Sequence, residues 1–81
     1  MNKTKKFTVT AKSGNTYTWT FTEHKNEGDY GNGIYIGIET PSKDHHSLDC
    51  RYMIDYTFHK VCVDYLVRWY GDNFTDITEI E

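Results

Sequence analysis

The feature of this sequence that most restricts its fold is one stretch of helical periodicity, which runs from Asp55 to Gly71. Its apolar side chains recur at positions i, i+3, i+4, i+7, i+8 and i+11, the spacing of an amphipathic helix with one apolar stripe. Asp55 or Thr57 is expected to cap the start, and Gly71 follows where a left-handed C-terminal cap is favoured. The stretch predicts a single helix whose stripe covers another apolar surface: Phe58, Val61, Cys62, Tyr65, Leu66 and Trp69.

Two segments ahead of the helix, 6–11 and 16–22, alternate large apolar residues with threonine. This alternation is typical of half-buried strands. Ser13-Gly14-Asn15 lies between them and predicts a three-residue hairpin loop. A hairpin centred on Gly14 pairs Phe7 with Phe21 and places all the large apolar side chains on one face: Phe7, Val9, Ala11, Tyr17, Trp19 and Phe21.

Two further segments, 33–40 and 47–54, alternate in the same way, and Pro41 is expected to end the first of them. After the helix, the three-residue spacing of Phe74, Ile77 and Ile80 predicts a short final strand with a bulge. Residues 1–81 are therefore predicted to form a single α+β domain. Its antiparallel sheet has four or five strands in the element order β-β-β-β-α-β, and the helix packs on the apolar face. The inward residues of the third and fourth strands are predicted to be Ile34, Ile36, Ile38, Leu48, Cys50, Tyr52 and Ile54.

Charge and composition exclude several classes of function. The formal net charge is −3, which argues against a direct nucleic-acid binder with a basic face. No apolar run is long enough to span a membrane, and the basic start is not followed by the apolar core of a signal peptide. Two cysteines in such a chain favour free thiols in a cytoplasm. We therefore expect no membrane partner and no direct nucleic-acid contact.

Two surfaces are not needed for the predicted core. Val63, Val67 and Tyr70 extend the apolar stripe along one flank of the helix; they either pack under a loop or the last strand, or meet another chain, including a second copy in a homodimer. The outer face of the sheet carries Gly37 in mid-strand, which weakens a strand unless another group approaches it closely. A glycine-rich loop, 26–33, has an aromatic anchor for a contact. The predicted partner-binding residues are Tyr30, Tyr35, Arg51, Val63, Val67 and Tyr70.

The histidine and cysteine side chains could in principle support metal binding or catalysis. The residues with zinc-ligand side chains include two cysteines at inward positions, where a thiol acts as a small apolar group, and no Cys-x-x-Cys pair is present. A buried thiol without a basic neighbour also stays protonated, which argues against a Cys–His nucleophile. We therefore expect no metal, no cofactor and no catalysis, with a zinc-binding structural module as one alternative. Its candidate ligands are His45, His46, Cys50, His59 and Cys62.

The run Trp69-Tyr70-Gly71-Asp72-Asn73, followed by Ile77 and Glu79-Ile80, resembles the ends of small α+β accessory proteins of phages and mobile elements of low-GC bacteria. The resemblance implies a stoichiometric inhibitor of a host defence protein, of the anti-CRISPR type or similar, and it carries no functional residues across. A second alternative is a sponge that sequesters a small nucleotide-like ligand at a subunit interface. There, Tyr35 and Tyr70 would stack on the ligand and Arg51 would meet a phosphate.

Overall fold

A computed structural model describes residues 3–25, 33–51 and 53–80. These residues form one antiparallel sheet of five strands in the order β4-β3-β2-β1-β5, together with one helix. The α+β prediction is confirmed, and the sheet has five strands where four or five were predicted. No helix among the described residues has the length and apolar character needed to cross a membrane. The elements are β1 (Lys3–Ala11), β2 (Thr16–Lys25), β3 (Ile34–Glu39), β4 (His45–Asp49), α1 (Phe58–Tyr70) and β5 (Phe74–Ile80).

The first hairpin forms as predicted but in a different register. The Gly14 amide donates to the Ala11 carbonyl at 2.9 Å, and the Ala11 amide donates to the Asn15 carbonyl at 2.8 Å. The loop is therefore 12–14, and Gly14 takes the positive φ of 93° that the last loop position requires. Phe7 consequently lies opposite Trp19, not Phe21. The apolar residues still share one face, because a shift of two residues preserves the side of the sheet.

Strand β4 is shorter than predicted and begins earlier. It spans His45–Asp49, whereas the alternation predicted a strand over 47–54. After the buried Cys50 the chain leaves the sheet in a turn, in which the Arg51 amide donates to Asp49 Oδ1 at 2.9 Å. The predicted inward position of Ile54 is wrong, because its side chain is 95% exposed. Tyr52, the other inward residue predicted in this part, lies outside the described residues.

Strand β5 pairs with β1 and forms the edge of the sheet opposite β4. Its pairing shifts by one residue between Thr10, which faces Asp76, and Ala11, which faces Phe74. The predicted bulge is thus present, and Thr75 is the extra residue. The bulge explains the three-residue spacing, since it brings Phe74 and Ile77 to the same, helix-covered face.

Helix α1 connects the two edges of the sheet and therefore crosses its apolar face. It ends at Gly71, which has a φ of 58° and whose amide donates to the Val67 carbonyl at 2.8 Å. Thr57 occupies the N-cap position, but its side chain makes no capping hydrogen bond. Helix and sheet together bury the core: Phe7, Val9, Trp19, Phe21, Ile36, Ile38, Cys50, Phe58, Val61, Cys62 and Leu66.

One carboxylate is buried at the edge of this core. Strand β2 continues to Lys25, beyond the predicted segment 16–22, so Glu23 faces inward opposite Ile36 and is 3% exposed. Its carboxylate accepts a hydrogen bond from the Tyr56 hydroxyl, and the Lys25 ammonium lies 3.9 Å away. Burial and the contact with Glu23 raise the pKa of the Tyr56 phenol. Tyr56 therefore keeps its proton and remains a donor.

Candidate functional site at the C-terminal end of the helix

A cleft of about 350 Å³ opens where the last turn of α1 overhangs the end of the sheet. Strands β1 and β2 form its floor, and the loop between β3 and β4 forms its far wall. We call it the helix-end cleft. Such concave, mainly apolar sites with a few polar groups are where proteins bind ligands and partner side chains. Its lining residues are Ala11, Tyr17, Trp19, Thr40, Pro41, Ser42, Asp44, His46, Trp69, Tyr70 and Asn73.

Trp69 forms the exposed wall of the helix-end cleft. Its ring lies 5.2 Å from that of Trp19 in an edge-to-face contact and 6.2 Å from that of Tyr65 in a stacked one. Across the cleft, the ring of His46 is 6.0 Å away. The helical periodicity predicted a buried Trp69, yet 55% of its surface is exposed. The indole is thus held in place by its neighbours while a large part of it faces solvent.

The floor is fixed by a hydrogen bond between two aromatic residues. The buried Trp19 donates from Nε1 to the Tyr70 hydroxyl at 2.8 Å. The ring of Tyr17 packs against that of Tyr70 with centroids 6.1 Å apart. Burial raises the pKa of Tyr70, so the phenol stays neutral and its oxygen remains available as an acceptor. Both ends of the Tyr70 side chain are therefore held by the fold.

The far wall is a tight loop with its own hydrogen-bond network. The Asp44 amide donates to Thr40 Oγ1 at 3.0 Å, and the Ser42 hydroxyl donates to Asp44 Oδ2 at 3.1 Å. The Lys43 amide closes the turn on the Thr40 carbonyl at 3.0 Å. Lys43 itself has a φ of 72°, a conformation that favours glycine. These bonds hold the Asp44 carboxylate at the rim of the helix-end cleft.

The predicted residues of the helix flank differ in burial. Val63 and Tyr70 are half-buried and pack against the core, in agreement with the packing alternative. Val67 is 41% exposed on the outer side of the helix. Tyr70 belongs to the helix-end cleft, whereas Val67 does not line it.

Tyr35 and Arg51 lie on the opposite face of the sheet. The Tyr35 ring stacks on His24 with centroids 4.6 Å apart, and a Cβ at Gly37 would lie 3.5 Å from His24 Nε2. The close neighbour that Gly37 suggested is thus the protein's own His24. Arg51 is bidentate on Asp49, with Nη2 2.8 Å from Oδ2 and Nε 3.0 Å from Oδ1, and this pairing lowers the pKa of Asp49. Arg51 and Tyr70 are therefore on different sides of one chain, and Tyr30 lies outside the described residues.

The residues weighed as zinc ligands are dispersed. Among residues 3–25, 33–51 and 53–80, no three His, Cys, Asp or Glu side chains come together as a ligand set. Cys50 and Cys62 are buried free thiols, and burial raises the pKa of Cys62 to about 12. His59 contacts Glu79 instead, with Nδ1 2.7 Å from Oε1. Lys5 binds the same carboxylate at 3.1 Å, and the two contacts lower the pKa of Glu79.

Most residues of the helix-end cleft were not predicted from the sequence, and among the described residues Tyr70 is the one predicted contact residue that lines it. Trp69 was assigned to the core, and Pro41, Asp44 and His46 were treated as loop residues. One signal was available: Trp69 and Tyr70 are consecutive, and neighbouring helical positions point about 100° apart. Two large rings in that arrangement cannot both lie at the centre of one buried stripe. No family model, no curated protein and no solved structure matches this chain.

Proposed function

We propose that this is a non-catalytic binding protein that holds a partner protein in the helix-end cleft. The observation that carries the proposal is the 55% exposure of Trp69 beside the fixed rings of Trp19 and Tyr70. Large exposed aromatic side chains that are surrounded by packed neighbours are typical of binding hot spots. The loop with Asp44 adds a polar rim to this apolar centre, which is the usual arrangement of a protein interface.

The rigidity of the site also favours binding. Tyr70 is tied to Trp19 by a hydrogen bond of 2.8 Å, and the far wall is closed by hydrogen bonds between Thr40, Ser42 and Asp44. Side chains that are already ordered lose little conformational entropy when a partner binds. A small protein with such a site can act as a stoichiometric inhibitor without doing any chemistry.

The specific role that we propose is inhibition of a host defence protein, anti-CRISPR or similar, by a phage-derived protein in the bacterial cytoplasm. Its support is the resemblance over 69–73, and three residues of this run, Trp69, Tyr70 and Asn73, line the helix-end cleft. The part of the chain that carries the resemblance thus contributes one wall of the cleft.

A plating assay tests this role. The gene is expressed in a panel of bacterial strains, each with one active defence system, and the plating efficiency of a sensitive phage is measured. Wild-type protein is expected to restore plating in one strain, Trp69→Ala to lose the effect, and Lys60→Ala to keep it, because Lys60 is exposed on the helix and does not line the cleft. If neither the wild-type protein nor Lys60→Ala restores plating in any strain, the inhibitor role is contradicted. If Trp69→Ala restores plating as well as the wild type does, the helix-end cleft is not the site that binds the partner.

A homodimer through the helix flank remains a proposal that rests on Val67. Its side chain is 41% exposed between charged neighbours on the outer side of α1, where an apolar residue gains by being covered. Analytical ultracentrifugation of wild-type protein is then expected to show a dimer and Val67→Glu a monomer. A monomeric wild-type protein at high concentration would rule this interface out.

A small nucleotide-like ligand is the second candidate occupant, because the exposed Trp69 ring could stack on a base. Among the described residues, however, no lysine or arginine lines the helix-end cleft to meet a phosphate. Thermal-shift measurements with nucleotides separate the two functions. A rise in melting temperature with one nucleotide, lost in Trp69→Ala, would favour the sponge.

A further inference from the structure

We infer that the helix-end cleft takes an arginine side chain, presented by an exposed segment of the partner protein, with the guanidinium between Trp69 and Asp44. The inference rests on the proposed function, because it names the group of the partner that the same cleft holds. Three observations carry it: an exposed indole, a carboxylate at the rim, and the lack of a lysine or arginine side chain among the described lining residues.

The indole supplies the stacking surface. Tryptophan is the strongest aromatic partner for a cation, and a planar guanidinium stacks on it better than an ammonium does. Trp69 is held by an edge contact with Trp19 and a stacked contact with Tyr65, while more than half of its surface is exposed. A guanidinium can therefore lie against the indole without displacing any side chain of the core.

The carboxylate supplies the charge. Ser42 donates to Asp44 Oδ2, and the Asp44 amide is anchored on Thr40, so the carboxylate is held at the rim. A carboxylate accepts two parallel hydrogen bonds from arginine, which fixes both the distance and the orientation of the incoming group. The formal net charge of −3 adds a longer-range attraction to a basic segment.

Other occupants fit this chemistry less well. A phosphate or carboxylate would meet the like charge of Asp44 with no lysine or arginine among the described lining residues to offset it. A purely apolar side chain would cover the rim and leave the Asp44 carboxylate in a drier environment with the Ser42 hydroxyl as a donor but no cation to offset its charge. Lysine is a compact, strongly hydrated charge that cannot stack on Trp69 and bind Asp44 in two places at once. Arginine can stack on Trp69 and bind the Asp44 carboxylate at the same time.

Three short peptides test the assignment by NMR. They are acetyl-Gly-Arg-Gly amide, the same peptide with citrulline, which keeps the shape of arginine without its charge, and the same peptide with lysine. The indole N–H resonance of Trp69 is followed during each titration, since the indole N–H of Trp19 is already bonded to Tyr70. The arginine peptide is expected to give a saturable shift, and both other peptides to bind about tenfold more weakly. Equal binding of the citrulline or lysine peptide, or no saturable shift, would overturn the inference.

Matched variants locate the effect. Asp44→Asn is expected to weaken the arginine peptide about tenfold, whereas Asp64→Asn makes the same charge change on the exposed side of the helix and is expected to leave it unchanged. If Asp44→Asn binds the arginine peptide as tightly as the wild type does, the Asp44 carboxylate does not bind the guanidinium. In the plating assay, Trp69→Ala could lose the inhibition of the defence system while Asp44→Asn keeps it fully. That result would support the proposed binding function and contradict an arginine as the group that is bound. Retention in both variants would remove the proposed function itself.

Discussion

The hydroxyl of Tyr56 donates a hydrogen bond to the buried carboxylate of Glu23. Tyr56 comes from the segment that connects β4 to α1, and Glu23 comes from the inward face of β2. The bond therefore ties the connection to the sheet at the N-terminal end of the helix, opposite the helix-end cleft. A carboxylate that is 3% exposed needs such a donor, because a buried charge without hydrogen bonds is strongly destabilising.

Removal of this hydroxyl is expected to lower stability. Tyr56→Phe leaves Glu23 with the Lys25 ammonium at 3.9 Å as its remaining partner and should reduce the free energy of unfolding by about 2 kcal/mol. Urea denaturation measures the change. Tyr17→Phe serves as the control, since Tyr17 is also half-buried and its ring, which phenylalanine keeps, packs against Tyr70. A double variant, Glu23→Leu with Tyr56→Phe, should lose less than the sum of the single changes, and strict additivity would contradict the pairing.

Replacement of Lys43 by glycine is expected to stabilise the protein. Lys43 has a φ of 72°, where a side chain is strained and glycine is not. Lys43→Gly should therefore raise the free energy of unfolding by about 0.5–1 kcal/mol, and its ion pair with Glu39, at 3.9 Å on the surface, contributes little. Ser13→Gly is the control, because Ser13 is exposed in the loop of the first hairpin and glycine there adds the same flexibility without relieving a positive φ. Destabilisation by both variants to the same extent would exclude strain at Lys43.

Burial of Cys62 predicts a loss of stability in alkali. Its pKa is about 12 in the folded protein and 9.0 in the reference state, so the folded form binds the proton more tightly. The resulting stabilisation is complete below pH 9 and is lost as the pH rises towards 12, with an upper limit of about 4 kcal/mol. Urea denaturation between pH 8 and pH 11 measures this loss. Cys62→Val removes the titrating group from the same buried site, and a stability curve as steep as that of the wild type would contradict the assignment.

The exposure of Trp69 predicts that its removal is tolerated. Trp69→Ala should lower the free energy of unfolding by about 1 kcal/mol, because the ring is only partly buried and alanine is favourable in a helix. Trp19→Ala should lower it by about 3–5 kcal/mol, since that ring is 1% exposed and its loss leaves a cavity. Thermal and urea denaturation compare the two. Equal destabilisation would mean that Trp69 belongs to the core and not to a binding site.

Much of the fold follows from local patterns. Alternation of threonine with Phe7, Val9, Trp19 and Phe21 defines two strands and their inward face, because successive side chains of a strand point to opposite sides. The three-residue spacing of Phe74 and Ile77 likewise predicts the bulge that the pairing of β5 with β1 contains. In each case the cause is the geometry of a single element, which acts over a few neighbouring residues.

Other features depend on where elements end and what lies beside them. The register of the first hairpin is set by Gly14, which takes the positive φ at the last loop position, whereas the predicted loop extended to Asn15. Ile54 alternates correctly with its neighbours, yet the strand has already ended at Asp49. Glu23 faces inward because β2 continues two residues beyond it. Its carboxylate accepts a hydrogen bond from Tyr56, which is distant in the sequence.

The sequence by itself determined the type of each element and, for most residues, the side that each one buries, since both depend on periods of 2 and 3.6 residues. The tertiary structure alone decided that Trp69 is exposed and that Tyr70 is bonded to Trp19 across 51 positions of the chain. Periodicity states which way a side chain points, but not whether another element lies in that direction. The helix-end cleft lies where the last turn of α1 meets β1, β2 and the loop between β3 and β4, which are distant from it in the sequence.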